Sequence, residues 1–574
     1  MSFLFKLVWL LSLCCSLNLA FPLSVFAQAE APALQNYQRK YVSIYQSQNN
    51  PLDSFLSRYF QRELPRFDYP LQAFDMELSL PEFLSLARQY QQDHAGELAA
   101  GQELTDLRVG EKVVSWSETQ RLMGAAYVMA PDWHFGPITI AGPEKPKNSE
   151  TWYLSFESQL NLSLPVYHLR EQGPELIEDY KQDWKIVRLL PIQNPEGLRQ
   201  RMLRELGHAP ELTDAQAFLK QLRQLQPFQQ LFARVEQDNP APALTPVAVQ
   251  ILERELQPIH QLNQVSEQVL NLSLGSLSLL NPDALGQVNQ LVAGVTSLYR
   301  LQELTAKLKR NPDFAIKGQV MGQDPKTQRV TLSLPEGETT GSLGVHLDQG
   351  YKILEYQGPE KGQKEIGFLK LRALAEKEVF AEPILMSRPF EAGDQYQEYA
   401  KTDWQVNLKG GIGSLTLDPR LGPQDFQPEG SLEILYSLAR ILGWSETYFQ
   451  LNGSLGQLAQ GTNSLLALSA ELGLSKRFYF QQWVLALGLR VGQMNASLSQ
   501  GQTQGSLSQS LLGGTAFAGL YYQATPDLIL GLDAGWRYYP ADSTQWKGPQ
   551  QAVNLGYGLE SNGPVAALFL NYQL

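Results

Sequence analysis

The sequence predicts a multidomain α+β protein that ends in a transmembrane antiparallel β-barrel. Three observations predict this class: an apolar leader at the N-terminus, a middle region that changes between helical and strand periodicity, and a C-terminal region of sustained apolar–polar alternation. A chain of 574 residues suffices for three or four domains besides the leader. We place the segments at 1–27, 28–195, 196–312, 313–393 and 394–574.

The leader is predicted to be a secretory signal peptide. Lys6 precedes an apolar stretch over 7–26, and the sequence Val-Phe-Ala that ends at Ala27 fits a small-residue cleavage site. An uncleaved inner-membrane anchor is the alternative, but Asn18 and Pro22 interrupt the stretch. We therefore expect cleavage after Ala27 and export of the rest.

Composition excludes several classes of function. The chain holds 46 Lys+Arg against 58 Asp+Glu and has no long basic run, so no nucleic-acid partner is expected. Its two cysteines, Cys14 and Cys15, lie inside the leader. The exported chain would then have no disulfide, no cysteine nucleophile and no cysteine-based zinc site.

Residues 28–195 are predicted to form a periplasmic α/β domain. Apolar residues at helical spacing predict two helices, and strand periodicity predicts several strands, of which the longest is a strand or hairpin. The helices are expected over 55–64 and 80–92, and the strands over 107–114, 125–129, 151–169 and 175–190. The last two are expected to pair.

Residues 196–312 are predicted to be helical, with two apolar stripes joined near 274–280 as an antiparallel hairpin. The stripes could form an intramolecular seam, or they could face a partner or a second copy. They consist of Val249, Leu252, Leu256, Ile259, Leu262, Val265, Val269 and Leu272, then Leu285, Val288, Val292, Val295, Leu298 and Leu304.

Residues 313–393 are predicted to form a small closed β-barrel of five short strands, mostly separated by turns that contain Gly or Pro. The strands are expected over 316–320, 330–334, 351–356, 366–374 and 379–385. The string G-Q-V-M-G…R-V-T-L-S-L…G-V-H-L-D-Q-G-Y-K-I-L resembles SH3-like periplasmic modules of flagellar and secretion accessory proteins. The resemblance implies an interaction or spacer module without a catalytic residue.

Residues 394–574 alternate between apolar and polar positions in repeated segments of strand length. The terminal segment V-A-A-L-F-L-N-Y-Q-L places a C-terminal signature on the lipid face, namely Leu568, Leu570, Tyr572 and Leu574. We count nine candidate strands, assign 553–559 to an extracellular extension and predict eight, because both ends of the barrel should lie on the same side. Ten strands and a soluble β-sandwich are the alternatives.

This region resembles the small eight-stranded outer-membrane barrels, such as the membrane domain of the OmpA family. The resemblance implies contact with outer-membrane lipid and assembly by the barrel insertion machinery. The sequence departs from that family in two ways. It ends in Leu574 where such barrels more often end in Phe, and its periplasmic part precedes the barrel.

Six charged residues are predicted to point into the barrel, three of each sign. An eight-stranded barrel has room only for its own side chains, so buried charges must pair. The balanced set predicts a closed, salt-bridged interior, although some members could instead be solvated in the headgroup zones. The six are Lys409, Glu433, Glu471, Arg490, Asp533 and Arg537.

No pattern predicts a catalytic, cofactor-binding or metal site. The six histidines are scattered, and the chain has no H-E-x-x-H, no P-loop and no G-x-S-x-G. We predict a non-enzymatic outer-membrane protein whose closed barrel anchors periplasmic interaction domains for envelope structure or assembly. Its expected partners are outer-membrane lipid, the insertion machinery and a periplasmic protein. The alternatives are a conduit for transport or secretion, and an envelope enzyme that uses 28–195.

Overall fold

The computed structural model describes the chain from Arg39 to Gln573, with gaps. The described ranges are 39–46, 50–69, 74–75, 80–94, 107–109, 112–117, 119, 126–145, 151–170, 173–192, 194–226, 228–230, 232, 241–256, 299–357, 363–417, 425–460, 463–500, 506–540, 545–548, 552–556 and 558–573. The predicted leader with its cleavage site at Ala27, the predicted turn of the helical hairpin and Leu574 lie outside these ranges.

The N-terminal domain is a mixed sheet covered by helices. Its sheet has the order β10-β9-β6-β1-β2, with β3 also on β1 and with β7 and β8 also on β9; β4 and β5 form a separate hairpin. The strands are β1 Lys40–Gln46, β2 Phe67–Asp68, β3 Phe74–Asp75, β4 Leu107–Val109, β5 Lys112–Val114, β6 Tyr127–Met129, β7 Asp132–Phe135, β8 Thr139–Glu144, β9 Trp152–Arg170 and β10 Gly173–Ile192.

Six helices with at least eight described residues precede the next domain. They are α1 Pro51–Glu63, α2 Leu80–Asp93, α3 Pro195–Leu206, α4 Ala215–Leu222, α5 Ala241–Leu256 and α6 at 299–310. Asn50 begins α1, because its side chain accepts a hydrogen bond from the Leu52 amide and Pro51 occupies the first turn. Among the described residues, no helix combines the length and the apolar character needed to cross a membrane.

The main core of this domain lies between the sheet and helices α1, α5 and α6. The helices contribute apolar residues such as Phe55, Leu252 and Leu304, and the sheet contributes Leu162 and Ile186, all almost fully buried. Two residues of the predicted apolar stripes, Leu252 and Leu304, are therefore buried in the core of this domain. Burial of this kind fixes α6 against the sheet, and α6 leads directly into the next domain.

The second domain is a closed six-stranded barrel, which we call the small barrel. Its strands follow the closed order β11-β12-β15-β14-β13-β16. They are β11 Lys317–Gln323, β12 Val330–Ser333, β13 Gly350–Tyr356, β14 Gln363–Leu374, β15 Glu378–Met386 and β16 Gln395–Tyr399, with the short helix α7 Thr340–Leu343 between β12 and β13.

The sixth strand corrects the predicted domain boundary. We placed 394 and the residues after it in the membrane barrel, but β16 pairs with β11 and β13 and so closes the small barrel. The segment Q-Y-Q-E-Y carries its apolar side chain, Tyr396, into the small-barrel core. Without β16, the strands β11 and β13 would be open edges of a five-stranded sheet. β16 pairs with both of them and therefore belongs to the small barrel.

The C-terminal domain is a closed barrel of eight antiparallel strands, which we call the large barrel. Each strand pairs with the next, β21 pairs with β22, and β26 pairs with both β23 and β17. The strands are β17 Trp404–Leu415, β18 Asp425–Ser437, β19 Thr447–Gln460, β20 Asn463–Phe480, β21 Trp483–Gln500, β22 Ser506–Gln523, β23 Leu528–Tyr539 and β26 Ser561–Gln573. The predicted fold class and the count of eight are confirmed.

The two ends of the large barrel differ. One end carries short turns, one of which contains helix α8 (Ala439–Leu442), and we call it the short-turn end. The other end carries the longer connections, including a hairpin of β24 (Gln545–Lys547) and β25 (Ala552–Asn554) that pairs with β22. Described residues of the predicted extracellular extension, 553–559, therefore follow β23 as an appendage and do not form a ninth barrel strand.

Candidate functional site in the large barrel and at its short-turn end

Strand alternation separates a polar interior from an apolar outer wall. On β17, Asn407 and Lys409 are buried, whereas Leu408 and Ile412 are 45% and 47% exposed. Aromatic residues such as Trp483 near the short-turn end and Trp536 near the other end are also exposed on the wall. An apolar wall with aromatic residues near both ends, around a polar interior, is the arrangement of an outer-membrane barrel.

The structure places all six sequence-predicted charges inside the large barrel, each at most 6% exposed. Lys409 lies between two carboxylates, with its Nζ 2.9 Å from Glu433 and 2.7 Å from Asp533. Arg490 lies 3.2 Å from Glu433 and 3.4 Å from Glu471. These five residues form one connected layer of alternating charge.

The sixth charge, Arg537, pairs with a residue that sequence reasoning missed. Its guanidinium donates to both carboxylate oxygens of Glu429, at 2.6 and 2.7 Å. Glu429 is not among the six predicted interior charges, but it lies within β18, opposite Gly411 of β17. Continuing the inward register of β18 from Glu433 by steps of two would have reached Glu429.

A second residue absent from the six predicted interior charges is Arg477. It lies within β20, is 3% exposed, and donates to the Gln405 side chain at 2.8 Å. Its guanidinium also lies over the Tyr448 ring, 4.5 Å from the centroid. The signal was again the register, because Arg477 is six residues beyond the inward Glu471.

Apolar and aromatic side chains fill the large barrel on both sides of the charged layer. Toward the long connections the filling includes Leu465, Met494, Leu498 and Trp546, and toward the short-turn end it includes Tyr521 and Phe569. A cavity of about 40 Å³ beside Lys409 and Arg490 has room for a few waters only. The interior is thus a packed core with paired charges.

The small barrel packs against the short-turn end of the large barrel. Phe368 and Ile384 of the small barrel share one buried apolar cluster with Tyr479, Ile529 and Phe569 of the large barrel. Both small-barrel residues are at most 1% exposed. The cluster therefore continues from one barrel into the other and excludes water from the contact.

Glu446, in the turn before β19, is the centre of the polar contact between the barrels. It accepts from Lys370 at 2.9 Å, from Arg372 at 2.8 Å and from the Tyr448 hydroxyl at 2.7 Å. Burial alone would raise the pKa of Glu446, but the two cations of the small barrel lower it far below its ordinary value. The carboxylate is therefore ionised at any physiological pH.

Two further groups extend this contact, which we call the dock. Asp348 of the small barrel binds Arg372 at 2.6 Å and accepts from the Ser445 hydroxyl at 2.6 Å. On another side, the Tyr399 hydroxyl donates to Asp527 of the large barrel at 2.7 Å. Polar contacts at separate points fix the orientation of one barrel on the other as well as its position.

The N-terminal domain is tied to both barrels. Arg66 makes a two-point contact with Glu398 of β16, with the second hydrogen bond at 3.1 Å, and both side chains are fully buried. Glu63, at the end of α1, pairs with Arg440 of the large barrel. These contacts join all three domains at the short-turn end.

A polar cavity of about 70 Å³ lies where the three domains meet. Lys309 and Asp403 line it. Burial lowers the pKa of Lys309 to about 8 and raises that of Asp403 to about 6. Among the described residues, no group of three or more His, Cys, Asp or Glu side chains is arranged to hold a metal ion.

The C-terminal signature lies on the outer wall. Leu568, Leu570 and Tyr572 are 69%, 43% and 45% exposed, and their strand pairs on both sides. The fourth member, Leu574, is outside the described residues. This strand, β26, is the last of the barrel and closes the ring by pairing with β23 on one side and with the first strand, β17, on the other.

Several solved structures are similar to part of the chain. Neisserial surface protein A is 13% identical, with 30% of this chain and 99% of that chain covered and a TM-score of 0.24. Ail of Yersinia pestis is 13% identical, with 30% of this chain and 98% of that chain covered and a TM-score of 0.21. OprG of Pseudomonas aeruginosa is 12% identical, with 30% of this chain and 97% of that chain covered and a TM-score of 0.21.

No protein-family model and no curated protein matches the chain. The expected resemblance of the C-terminal region to small outer-membrane barrels is confirmed at the level of the fold, which the closed ring of eight strands defines by itself.

Proposed function

We propose that this protein is a non-enzymatic outer-membrane anchor that holds its N-terminal domain and small barrel in the periplasm, where they bind a periplasmic protein in envelope structure or assembly. The observation that carries the proposal is the dock. The small barrel is fixed on the short-turn end, and in outer-membrane barrels the short turns face the periplasm. The dock would hold the small barrel and the N-terminal domain at a fixed position on the periplasmic side of the membrane.

The filled interior favours an anchor over a conduit made from one copy. Lys409, Arg490 and Arg537 are each paired with carboxylates, and apolar layers lie on both sides of them. Opening a path would leave buried charges without partners, at a cost of several kcal/mol for each ion. Purified protein in planar bilayers is therefore expected to show no stable conductance.

Complementation tests the proposal. A strain without the protein would receive the full chain, an exported soluble form that ends at Thr402, or an exported large barrel that begins at Asp403. Outer-membrane integrity would be measured by sensitivity to detergent and to large antibiotics. An anchor predicts that only the full chain restores integrity.

The other two outcomes separate the alternatives. Restoration by the soluble form would favour an enzyme or a free periplasmic factor, because attachment would then be dispensable. Restoration by the large barrel alone would favour a conduit. Fractionation and heat-dependent gel mobility would verify that each form is produced and folded.

A further inference from the structure

The long strand β10 is an open edge of the N-terminal sheet. Within the described part of the chain it pairs with β9 only, over Gly173–Ile192, so its other side has a row of backbone groups without a strand partner. An edge of this length is a template for pairing with another strand.

Charges alternate in sign along the exposed face of this edge. Asp179, Lys181, Asp183 and Lys185 follow one another at every second residue, and the two lysines are 76% and 65% exposed. The opposite face is buried against the helices and carries Tyr180, Gln182, Trp184 and Ile186. The charged positions are therefore the ones that a second strand would meet in water.

We propose that β10 pairs antiparallel with β10 of a second copy of this chain, with the two-fold axis at Gln182. In this register Lys181 lies opposite the partner's Asp183, and Lys185 lies opposite the partner's Asp179. The symmetry doubles each contact, which gives four pairs of opposite charge. Side chains directly opposite in antiparallel strands lie about 4.5–5.5 Å apart between Cβ atoms, within reach of an ion pair.

Charge selects this register over its neighbours. A shift of two residues in one direction places Lys181 opposite the partner's Lys181, and the same shift in the other direction places Asp183 opposite the partner's Asp183. A shift of one residue would put exposed positions against the buried face. Opposed like charges destabilise a strand pair, so the register centred on Gln182 is preferred.

Gln182 supplies an independent observation. It is 4% exposed, and neither its amide nitrogen nor its amide oxygen has a hydrogen-bond partner among the described residues. An unsatisfied buried amide is costly, and a side-chain amide can both donate and accept. On the two-fold axis each Gln182 would face the partner's Gln182 and could exchange hydrogen bonds with it.

The present ion pairs of these residues do not oppose the rearrangement. Lys185 binds Glu157, Lys181 binds Asp179, and Asp183 lies 3.8 Å from Arg300. These pairs lie at the exposed surface, where ion pairs contribute little to stability. Replacing these ion pairs by ion pairs to the second copy would therefore cost little stability.

The test is the oligomeric state of the full chain in detergent micelles, measured by light scattering coupled to size exclusion. Wild type is expected to be a dimer, and Lys181→Glu is expected to weaken it at least tenfold, because a carboxylate then faces the partner's Asp183. The swap Lys181→Glu/Asp183→Lys is expected to restore the dimer, because it restores opposite charges. Lys220→Glu, exposed on α4, is the control and should leave the dimer unchanged.

Cross-linking gives a second measurement that does not depend on charge. The chain has no cysteine beyond Cys15, so Gln182→Cys would introduce a single thiol into the exported protein. It is expected to form a reducible dimer, whereas Gln159→Cys on β9 is not. A monomeric wild type, a dimer insensitive to Lys181→Glu, or no rescue by the swap would each overturn the proposal. The proposal is independent of the proposed function.

Discussion

At the residue scale, the large barrel is defined by a few buried charges whose partners come from distant parts of the chain. Arg490 of β21 contacts Glu433 of β18 as well as Glu471 of β20, across the interior. Each such residue is therefore a sensitive probe of the fold, since removal of one partner leaves the other charge buried.

Arg490→Met is expected to destabilise the large barrel by roughly 3–5 kcal/mol, because Glu471 loses its ion-pair partner in a packed interior. The measurement is thermal unfolding in detergent, followed by circular dichroism and by the mobility shift of unboiled samples. The double variant Arg490→Met/Glu471→Gln should recover part of the loss. Lys547→Met, exposed on β24, is the control, and an equal effect of the control would contradict the paired interior.

Asp53 predicts a pH dependence in the N-terminal domain. It is 2% exposed on α1, burial raises its pKa to about 7, and Trp133 donates to it at 2.7 Å. The folded state favours the protonated acid. The contribution of Asp53 to the stability of the domain is therefore fully present below about pH 4 and is lost as the pH rises through about 7.

Asp53→Asn should therefore stabilise the domain at pH 8 and have little effect on its stability at pH 4. The gain at pH 8 is at most about 4 kcal/mol, because each unit of the raised pKa corresponds to about 1.4 kcal/mol. The amide oxygen can still accept from Trp133. The measurement is the unfolding midpoint of the domain at both pH values, with Asp93→Asn on the exposed end of α2 as the control. A gain that is the same at both pH values would contradict the assignment.

At the scale of elements, periodicity predicted the strands of the large barrel well, because one set of alternate positions faces lipid and must be apolar, whereas the other set faces the interior and can be polar or charged. Leu432 and Leu487 are about half exposed on the wall, while Glu433 beside the first is buried. Periodicity marks the ends of strands less well, and the six predicted interior charges include neither Glu429 nor Arg477. Strand ends pass from lipid to headgroups, where the demand for apolar residues weakens.

Deletion of Leu568–Leu574 is expected to prevent insertion, because β26 closes the barrel against both β17 and β23. An open barrel would expose unpaired backbone groups to lipid. The truncated chain should be exported and then degraded or found soluble, as measured by fractionation. Tyr572→Asp should act in the same direction more weakly, at about 0–1 kcal/mol near the interface, and normal insertion of the truncated chain would contradict the closure.

At the scale of the whole molecule, the arrangement of the domains could not be read from the sequence. Lys370 and Glu446 are separated by 76 residues and belong to different barrels, and neither lies in a motif. The predicted boundary at 393 also concealed β16, the strand that closes the small barrel. Contacts between domains depend on the shape of both surfaces, and periodicity within a segment carries no information on that.

Glu446→Gln is expected to loosen the dock, because Lys370 then keeps a buried charge without its carboxylate, at roughly 3–5 kcal/mol. The measurement is the rate of proteolysis in the segment 400–403 that joins the two barrels, in folded protein in micelles. Glu382→Gln is the matched control, since Glu382 binds Arg372 at 2.7 Å within the small barrel but lies outside the dock. Equal rates for the two variants would show that Glu446 does not hold the barrels together.

The most direct test of the account is the labelling of single cysteines in intact cells, because the account requires the two ends of the large barrel to face opposite sides of the outer membrane. Gln357→Cys is exposed on the small barrel, and Lys547→Cys is exposed at the end with the long connections. A maleimide that does not cross membranes should label Lys547→Cys in intact cells, and should label Gln357→Cys only after the outer membrane is permeabilised. Labelling of Gln357→Cys in intact cells, or protection of Lys547→Cys there, would contradict the proposed anchor.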